Sequence, residues 1–309
     1  MSKPTIVLDC DPGHDDAIAI MLAAHYAELH SIVTVSGNVP LELTTHNALI
    51  TTQLLGLDVP VHAGADRPLL APPYHAPDIH GETGLGGPSL PALTREVASH
   101  EGVWHLVKTF RERRDLALVA TGPLTNIALA LRVAPDIAQN IAQLTLMGGS
   151  NSFGNRTPVA EFNILADPEA AAIVFDSGIP IKMLGLNLTH QFLIEEADIA
   201  AMRALQTTAG TFVADMLAFF GATYAERYFG RFFAPLHDPC AILAVTHPEL
   251  ITFAPRHVAI ELSGAHTRGM TVVDERQVMS DLTPNAEVGL TIDRNKATAV
   301  LMSALASYR

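Results

Sequence analysis

The chain has 309 residues, 49% of them hydrophobic and 17% charged, which supplies a large core and argues against disorder. A formal charge of −13 disfavours nucleic acid and anionic membranes as partners, and suits a cation and an uncharged small substrate. With only two cysteines, Cys10 and Cys240, the sequence has neither a disulfide framework nor a zinc-type thiol array.

The amino terminus runs into Thr5-Ile6-Val7-Leu8, a brief β-branched stretch that predicts a buried strand. No signal peptide precedes it and no apolar span is long enough for a membrane helix, so the expected compartment is the cytoplasm. Next comes Asp9-Cys10-Asp11-Pro12-Gly13-His14-Asp15-Asp16, followed by a helix-forming run from Ala17 to Ala24. The acidic cluster therefore falls on a strand-to-helix loop, at the carboxyl edge where open α/β sheets bind ligands. Four carboxylates within eight residues repel one another unless a cation neutralises them. An all-oxygen donor set points to a hard ion, Ca²⁺ or Mg²⁺. A helix cap accounts for one aspartate, not for four.

Ser31 to Val35 predicts a second strand, ending in Ser36-Gly37-Asn38. Leu41 to Leu55 predicts a helix, and Val59-Pro60-Val61 a short strand. Residues 64–100, rich in Gly and Pro, predict a long loop centred on Asp78-Ile79-His80-Gly81-Glu82-Thr83-Gly84, and loops of that length are usually functional. Glu101 to Arg114 reads as a helix, with Trp104 assigned to the core beside Val103, Leu106, Val107 and Phe110. Leu116 to Ala120 is a strand, and Thr121-Gly122-Pro123-Leu124-Thr125-Asn126 turns into a helix ending near Val133. Leu144 to Met147 is a strand opening into a glycine-rich loop. Asp167 to Ser177 is a helix with Pro168 in its first turn, and Pro180 to Leu184 a further strand.

Repeated β-loop-α units imply an α/β domain with a mostly parallel central sheet flanked by helices. Glu195 to Tyr228 breaks the pattern with two helical runs, read as a helical insertion near 195–236. Cys240 to Val245 predicts a helix. Val258 to Glu261, Met270 to Val273 and Val288 to Ile292 predict late strands, before a carboxyl-terminal helix. With no linker and no internal repeat, residues 1–309 are expected to form one domain.

The predicted strands empty into loops carrying Asn38, Thr121, Asn126, Asn151, Asn155, Glu161, Asn163, His237 and Asp238. The loop at 148–155 lacks the Gly-Lys-Ser/Thr of a phosphate loop. Arg156 is the only cation expected in these loops, whereas a phosphorylated ligand needs Lys, Arg or a helix terminus. Amides and carboxylates suit a polyhydroxyl, so a sugar or nucleoside is favoured over a nucleotide. His237-Asp238 sets an imidazole beside a carboxylate.

The acidic motif is similar to the opening of the nucleoside hydrolases, and also to that of haloacid-dehalogenase-type phosphatases. Six further stretches extend the first likeness over nearly the whole chain: Asp78 to Gly84, Thr121 to Asn126, Leu146-Met147-Gly148-Gly149, Gly154-Asn155 with Ala160-Glu161-Phe162-Asn163, Asp167-Pro168-Glu169-Ala170-Ala171, and His237-Asp238-Pro239-Cys240. The sequence resembles the inosine-uridine-preferring nucleoside hydrolases. That resemblance implies hydrolysis of the N-glycosidic bond of ribonucleosides to ribose and free base. It implies a Ca²⁺ held by Asp11, Asp16, the Thr121 carbonyl and Asp238, with Asp11 also the general base on a Ca²⁺-bound water. Asp15, Asn38 and Asn163 would hold the ribose 2′- and 3′-hydroxyls, Asn155 and Glu161 the 5′-hydroxyl, and Met147 would line the substrate site. His237 and His80 would be catalytic groups facing the base. Tyr224 and Tyr228, spaced i, i+4, or Phe229 would close over the base. The resemblance also implies a homo-oligomer, tetramer or dimer.

A single Trp rules out the tryptophan sandwich of purine-specific members. The loops around His80 and His237 are more similar to the pyrimidine-preferring bacterial members, so uridine and cytidine are the expected substrates. Histidine can give a proton to a leaving base near neutral pH. Adjacent carboxylates stabilise an oxocarbenium-like transition state, and no Lys or Cys nucleophile stands out, which favours direct displacement by water. A broad inosine/uridine hydrolase and a non-catalytic nucleoside or ribose binder are the alternatives.

Overall fold

In the computed structural model, which describes residues 3–227, 230–276, 278 and 281–308, the β-loop-α units build one eight-stranded sheet. The strands are β1 (Thr5–Cys10), β2 (Glu28–Thr34), β3 (Val61–Ala63), β4 (Leu116–Ala120), β5 (Leu144–Met147), β6 (Ile181–Leu184), β7 (Leu193–Ile194), β8 (Ala234–Pro235), β9 (Ile251–Arg256), β10 (Val258–Ile260), β11 (Thr271–Val273) and β12 (Ala286–Ile292). The α-helices are α1 (His14–Tyr26), α2 (Leu41–Leu54), α3 (Pro77–His80), α4 (Gly102–Glu112), α5 (Thr125–Val133), α6 (Phe162–Ala166), α7 (Pro168–Phe175), α8 (Leu186–Thr189), α9 (Glu196–Ala204), α10 (Thr208–Arg227), α11 (Asp238–Thr246) and α12 (Arg294–Ser307).

The sheet order is β3-β2-β1-β4-β5-β6-β12-β9, parallel throughout except for β9 against β12. Both faces are covered, which is why the inner strands read as unbroken apolar runs. Alternation along β1 sends Ile6, Leu8 and Cys10 into the core beneath α1, α10, α11 and α12, and Val7 into the core beneath α4, α5 and α7. Strand β1 pairs with β2 on one side and β4 on the other. The direction of sheet growth reverses between β1 and β4, which opens a crevice at their carboxyl ends. In that register Cys10 lies opposite Thr34 and Asp9 opposite Ala120, so the loops bearing Asp11, Asn38 and Thr121 leave the same edge side by side.

One expectation is corrected and two features of the strands are added. Trp104 is 56% exposed while Leu106, Val107 and Phe110 are buried, because the inward stripe of α4 passes through 106, 107 and 110 and leaves 104 off it. Strand β9 was not anticipated; its Pro255 argues against an inner strand, and β9 is indeed the sheet edge. Strands β10 and β11, expected as late strands, are present and pair with each other in a separate antiparallel ribbon. The helical insertion is present as α9 and α10, and the antiparallel pair β7–β8 brackets it. No described helix is long and apolar enough to cross a membrane.

Candidate active site

The acidic loop enters α1 at Gly13, whose N–H donates to Asp16 Oδ2 at 3.0 Å, so the cap reading holds for Asp16 alone. The other Asp16 oxygen accepts from the Thr121 hydroxyl at 2.8 Å. Asp11 Oδ2 accepts the Asn38 backbone N–H at 2.7 Å, and the Asn38 side-chain amide donates to the Asp11 carbonyl and to Asp16. A Cβ at Gly37 would lie 2.0 Å from Asp11 Oδ2, and one at Gly122 would lie 2.6 Å from Oδ1. Only glycine lets two loops close this tightly on one carboxylate. Asp9, the next residue in the alternation after Val7, faces α5 and accepts from the Asn126 amide at 2.8 Å. It is a buried neighbour of the site, turned away from it.

Asp11, Asp15, Asp16 and Asp238 are all buried, and among the described residues no Lys or Arg forms an ion pair with any of them. Burial pushes each carboxyl up, Asp15 to about 7, and the charges of neighbouring aspartates add to the push on Asp11, Asp15 and Asp238. One oxygen each from Asp15, Asp16 and Asp238 lies within 4.8 Å of the others. Asp11 stands outside that trio, and its Oδ1 is buried with no hydrogen-bond partner. Orphaned carboxylate oxygen, an all-oxygen donor set and uncompensated negative charge fit a hard divalent cation. The cluster can hold a metal ion.

Asp15, Asn38, His80, Thr121, Met147, Asn155, Glu161, Asn163, Tyr224, His237 and Asp238 line one pocket. Asp11 and Asp16 are fully buried and do not line it. Tyr228 and Phe229 lie outside the described residues. Asn126 is absent from the lining because it serves Asp9, and Asn151 because it pairs with Glu275. Ile79, Phe162, Phe220 and Arg227 line the pocket without having been anticipated. Phe220 precedes Tyr224 by one helical turn, a spacing that could have revealed it. Arg227 shows that Arg156 is not the sole cation here.

Glu161 caps α6, accepting from the N–H groups of Asn163 at 2.9 Å and Ile164 at 3.2 Å, and it also accepts from Gly149 at 2.9 Å. Burial outweighs these bonds and lifts its carboxyl to about 7. Asn155 Oδ1 accepts from the Phe162 N–H at 3.0 Å. His80 ends α3, where Gly81 at φ +79° turns the chain, and its Nδ1 lies 3.0 Å from Nδ1 of His14. His237 is engaged at both nitrogens, by the Thr189 hydroxyl at 2.7 Å and the Tyr224 hydroxyl at 3.3 Å. Burial holds both His80 and His237 well below the ordinary imidazole range. Each ring is therefore neutral at pH 7 and can donate only one N–H, in place of the near-neutral titration expected from an unperturbed histidine.

Residues 6–299 match the model of the family described as inosine-uridine preferring nucleoside hydrolase. The chain belongs to that family. This removes the phosphatase look-alike and accounts for an acidic loop at a topological switch point. Nucleoside hydrolases with which the chain shares 44% identity include proteins named pyrimidine-specific ribonucleoside hydrolase RihA, from Enterobacter sp. and Salmonella typhimurium. In each case 307 residues align, covering 98% of both chains. Among solved structures, a purine-preferring ribonucleoside hydrolase from Gardnerella vaginalis superposes with a TM-score of 0.92 at 33% identity, covering 98% of each chain. One fold in this family thus carries both base preferences, so the backbone alone does not choose the base.

Proposed function

We propose that this nucleoside hydrolase cleaves the N-glycosidic bond of ribonucleosides with water, giving ribose and free base, and prefers uridine and cytidine. The observation that carries the reading is one pocket in which neutral amides and carboxylates suited to a polyhydroxyl meet two buried imidazoles beside a carboxylate cluster. The pyrimidine preference is supported by the 44%-identical relatives and by the position of Trp104 on α4, outside the pocket. Among the described lining residues, Phe220 and Tyr224 are the aromatic rings proposed to stack on a base, Phe162 being covered by Arg156.

In this reading Asp11, Asp16, Asp238 and the carbonyl of Thr121 would hold a Ca²⁺ ion. That ion supplies positive charge that keeps the carboxylates ionised and makes water more acidic. Asp11 is the general base in this reading. Asp15, Asn38 and Asn163 hold the 2′- and 3′-hydroxyls, and Asn155 and Glu161 the 5′-hydroxyl, with Met147 against the sugar. The carboxylates favour the positive charge that develops on the ribose ring. His80 and His237 face the base, with the Tyr224 hydroxyl 3.3 Å from Nε2 of His237. The protein acts as a homo-oligomer, dimer or tetramer.

Ribose release across uridine, cytidine, inosine and adenosine, with and without chelator, tests the reading. Uridine or cytidine should rank first and chelator should stop turnover. Adenosine as the best substrate would overturn the base preference, and absence of ribose release from all four would overturn the activity.

A further inference from the structure

Two guanidinium groups line the pocket, and one carboxylate holds both. Asp78, on α3, accepts from Nη1 and Nη2 of Arg156 at 3.1 Å each and pairs also with Arg227 at the end of α10. Arg156 comes from the loop after β5, so three separate segments meet at this carboxylate. The Arg156 side chain is only 8% exposed, and its guanidinium carbon lies 5.3 Å from the ring centres of both Tyr74 and Phe162. A bidentate pair on an aromatic platform is far better ordered than a free surface ion pair. The Arg156 guanidinium, and Arg227 after it, hold the Asp78 carboxyl below its ordinary range. Among the described residues lining the pocket no other Lys or Arg occurs.

The place of this cluster matters. Arg156 follows Asn155 directly, and its charge reaches Glu161, where it partly opposes the upward push of burial. Those are the two residues assigned above to the ribose 5′-hydroxyl. A 5′-phosphate would bring about two negative charges to that point and would need charge-assisted N–H donors. The two guanidiniums among the described lining residues are already paired with Asp78, and the phosphate would face Glu161.

We infer that Asp78 makes the pocket selective for nucleosides over their 5′-phosphates, by occupying the two arginines that would otherwise form a phosphate fork. The inference rests on the proposed placement of the 5′-hydroxyl at Asn155 and Glu161. If Asp78 served only to hold α10 against α3, its loss would affect uridine and uridine 5′-monophosphate alike, so the ratio between them separates the two roles.

The test compares Asp78→Asn and Asp78→Ser with the unaltered protein and with the double variant Asp78→Asn, Arg156→Gln. One readout is kcat/KM for uridine and for its 5′-monophosphate. The other is calorimetric binding of ribose 5-phosphate against ribose, which needs no turnover and so stands apart from the hydrolysis reading. Asp78 has 44% of its side chain exposed, and either single variant suffices if the other fails to fold. In the single variants the monophosphate should gain on uridine by at least about tenfold, and ribose 5-phosphate on ribose by a similar factor. Both gains should weaken with added salt and vanish in the double variant. Unchanged ratios in a folded single variant, or gains that survive Arg156→Gln, would overturn the inference. Failure to release ribose from any nucleoside would instead strike the proposed activity, and the calorimetry would still decide the role of Asp78.

Discussion

The side-chain amide of Asn163 donates to the backbone carbonyl of Thr121 at 2.8 Å and to that of Met147 at 3.1 Å. One residue of α6 thus ties together the ends of two neighbouring strands, β4 and β5. The Thr121 carbonyl keeps a second lone pair, the one assigned above to the metal.

Asn163→Ala should therefore act twice. Losing two buried hydrogen bonds should cost about 1–3 kcal/mol of stability, and the loosened carbonyl together with loss of the ribose contact proposed above should lower kcat/KM by about a hundredfold or more. Thermal unfolding and ribose release measure the two effects. A folded variant with wild-type turnover would remove Asn163 from the site.

Metal removal should be visible in the fold as well as in the rate. Asp11, Asp15, Asp16 and Asp238 are buried together without a cationic side chain, so an ion bound only by the folded state should stabilise it. Chelator should lower the melting temperature and Ca²⁺ should restore it, with about 3 kcal/mol expected at a hundredfold excess over Kd. Asp11→Ala and Asp238→Ala should abolish turnover and blunt the calcium-dependent shift. An identical melting curve with and without chelator, in protein shown by elemental analysis to be metal-free, would sink the metal site.

His237 contacts Thr189 and Tyr224 and is kept neutral by burial. If it supports departure of the base, His237→Ala should slow uridine by about 10²–10⁴-fold. A nitrophenyl riboside, whose leaving group needs no help, should slow far less. Equal slowing of both substrates would assign His237 to packing.

Stability should also fall on mild acidification, partly through a histidine remote from the pocket. His105 stacks on His62 with ring centres 3.7 Å apart and bonds to the Ser31 hydroxyl at 2.8 Å. Burial, followed by the charges of His62, His30 and Lys108, pushes it down to about 4 from an ordinary value of 6.5. Between those values the unfolded chain binds more protons. The stabilisation is thus complete above pH 6.5 and is lost as the pH falls towards 4. Discounted for partial exposure, the share of His105 is about 1–2 kcal/mol. His105→Gln should flatten the fall in melting temperature from about pH 7 to pH 4.5. A slope identical to that of the unaltered protein would show that His105 is not one of the titrating groups.

Much of this protein was legible in one dimension. The apolar run of β1, the acidic loop and the alternation of strands with helices are local features, each readable within about a dozen residues. They located the ligand edge, because in a parallel sheet every strand-to-helix loop leaves on the same side. The motif stretches around His80, Thr121, Glu161 and His237 placed the chain in its family, and the pocket gathers residues from all four.

What only the tertiary structure decided were pairings between distant residues and the orientation of individual side chains. Asp9 and Asp11 are two residues apart in one motif, yet Asp9 turns to Asn126, 117 positions away, while Asp11 is clasped between Gly37 and Gly122. Trp104 looked like core because its neighbours were apolar, but which face of α4 packs inward depends on the sheet beneath it. Arg156 looked like a lone cation until α10 brought Arg227 to the same carboxylate. The sequence by itself determined which elements form and which chemical groups they carry, since propensity and periodicity act over short range. Register, crossover and helix docking determined which groups meet, because those contacts join residues that the chain keeps far apart.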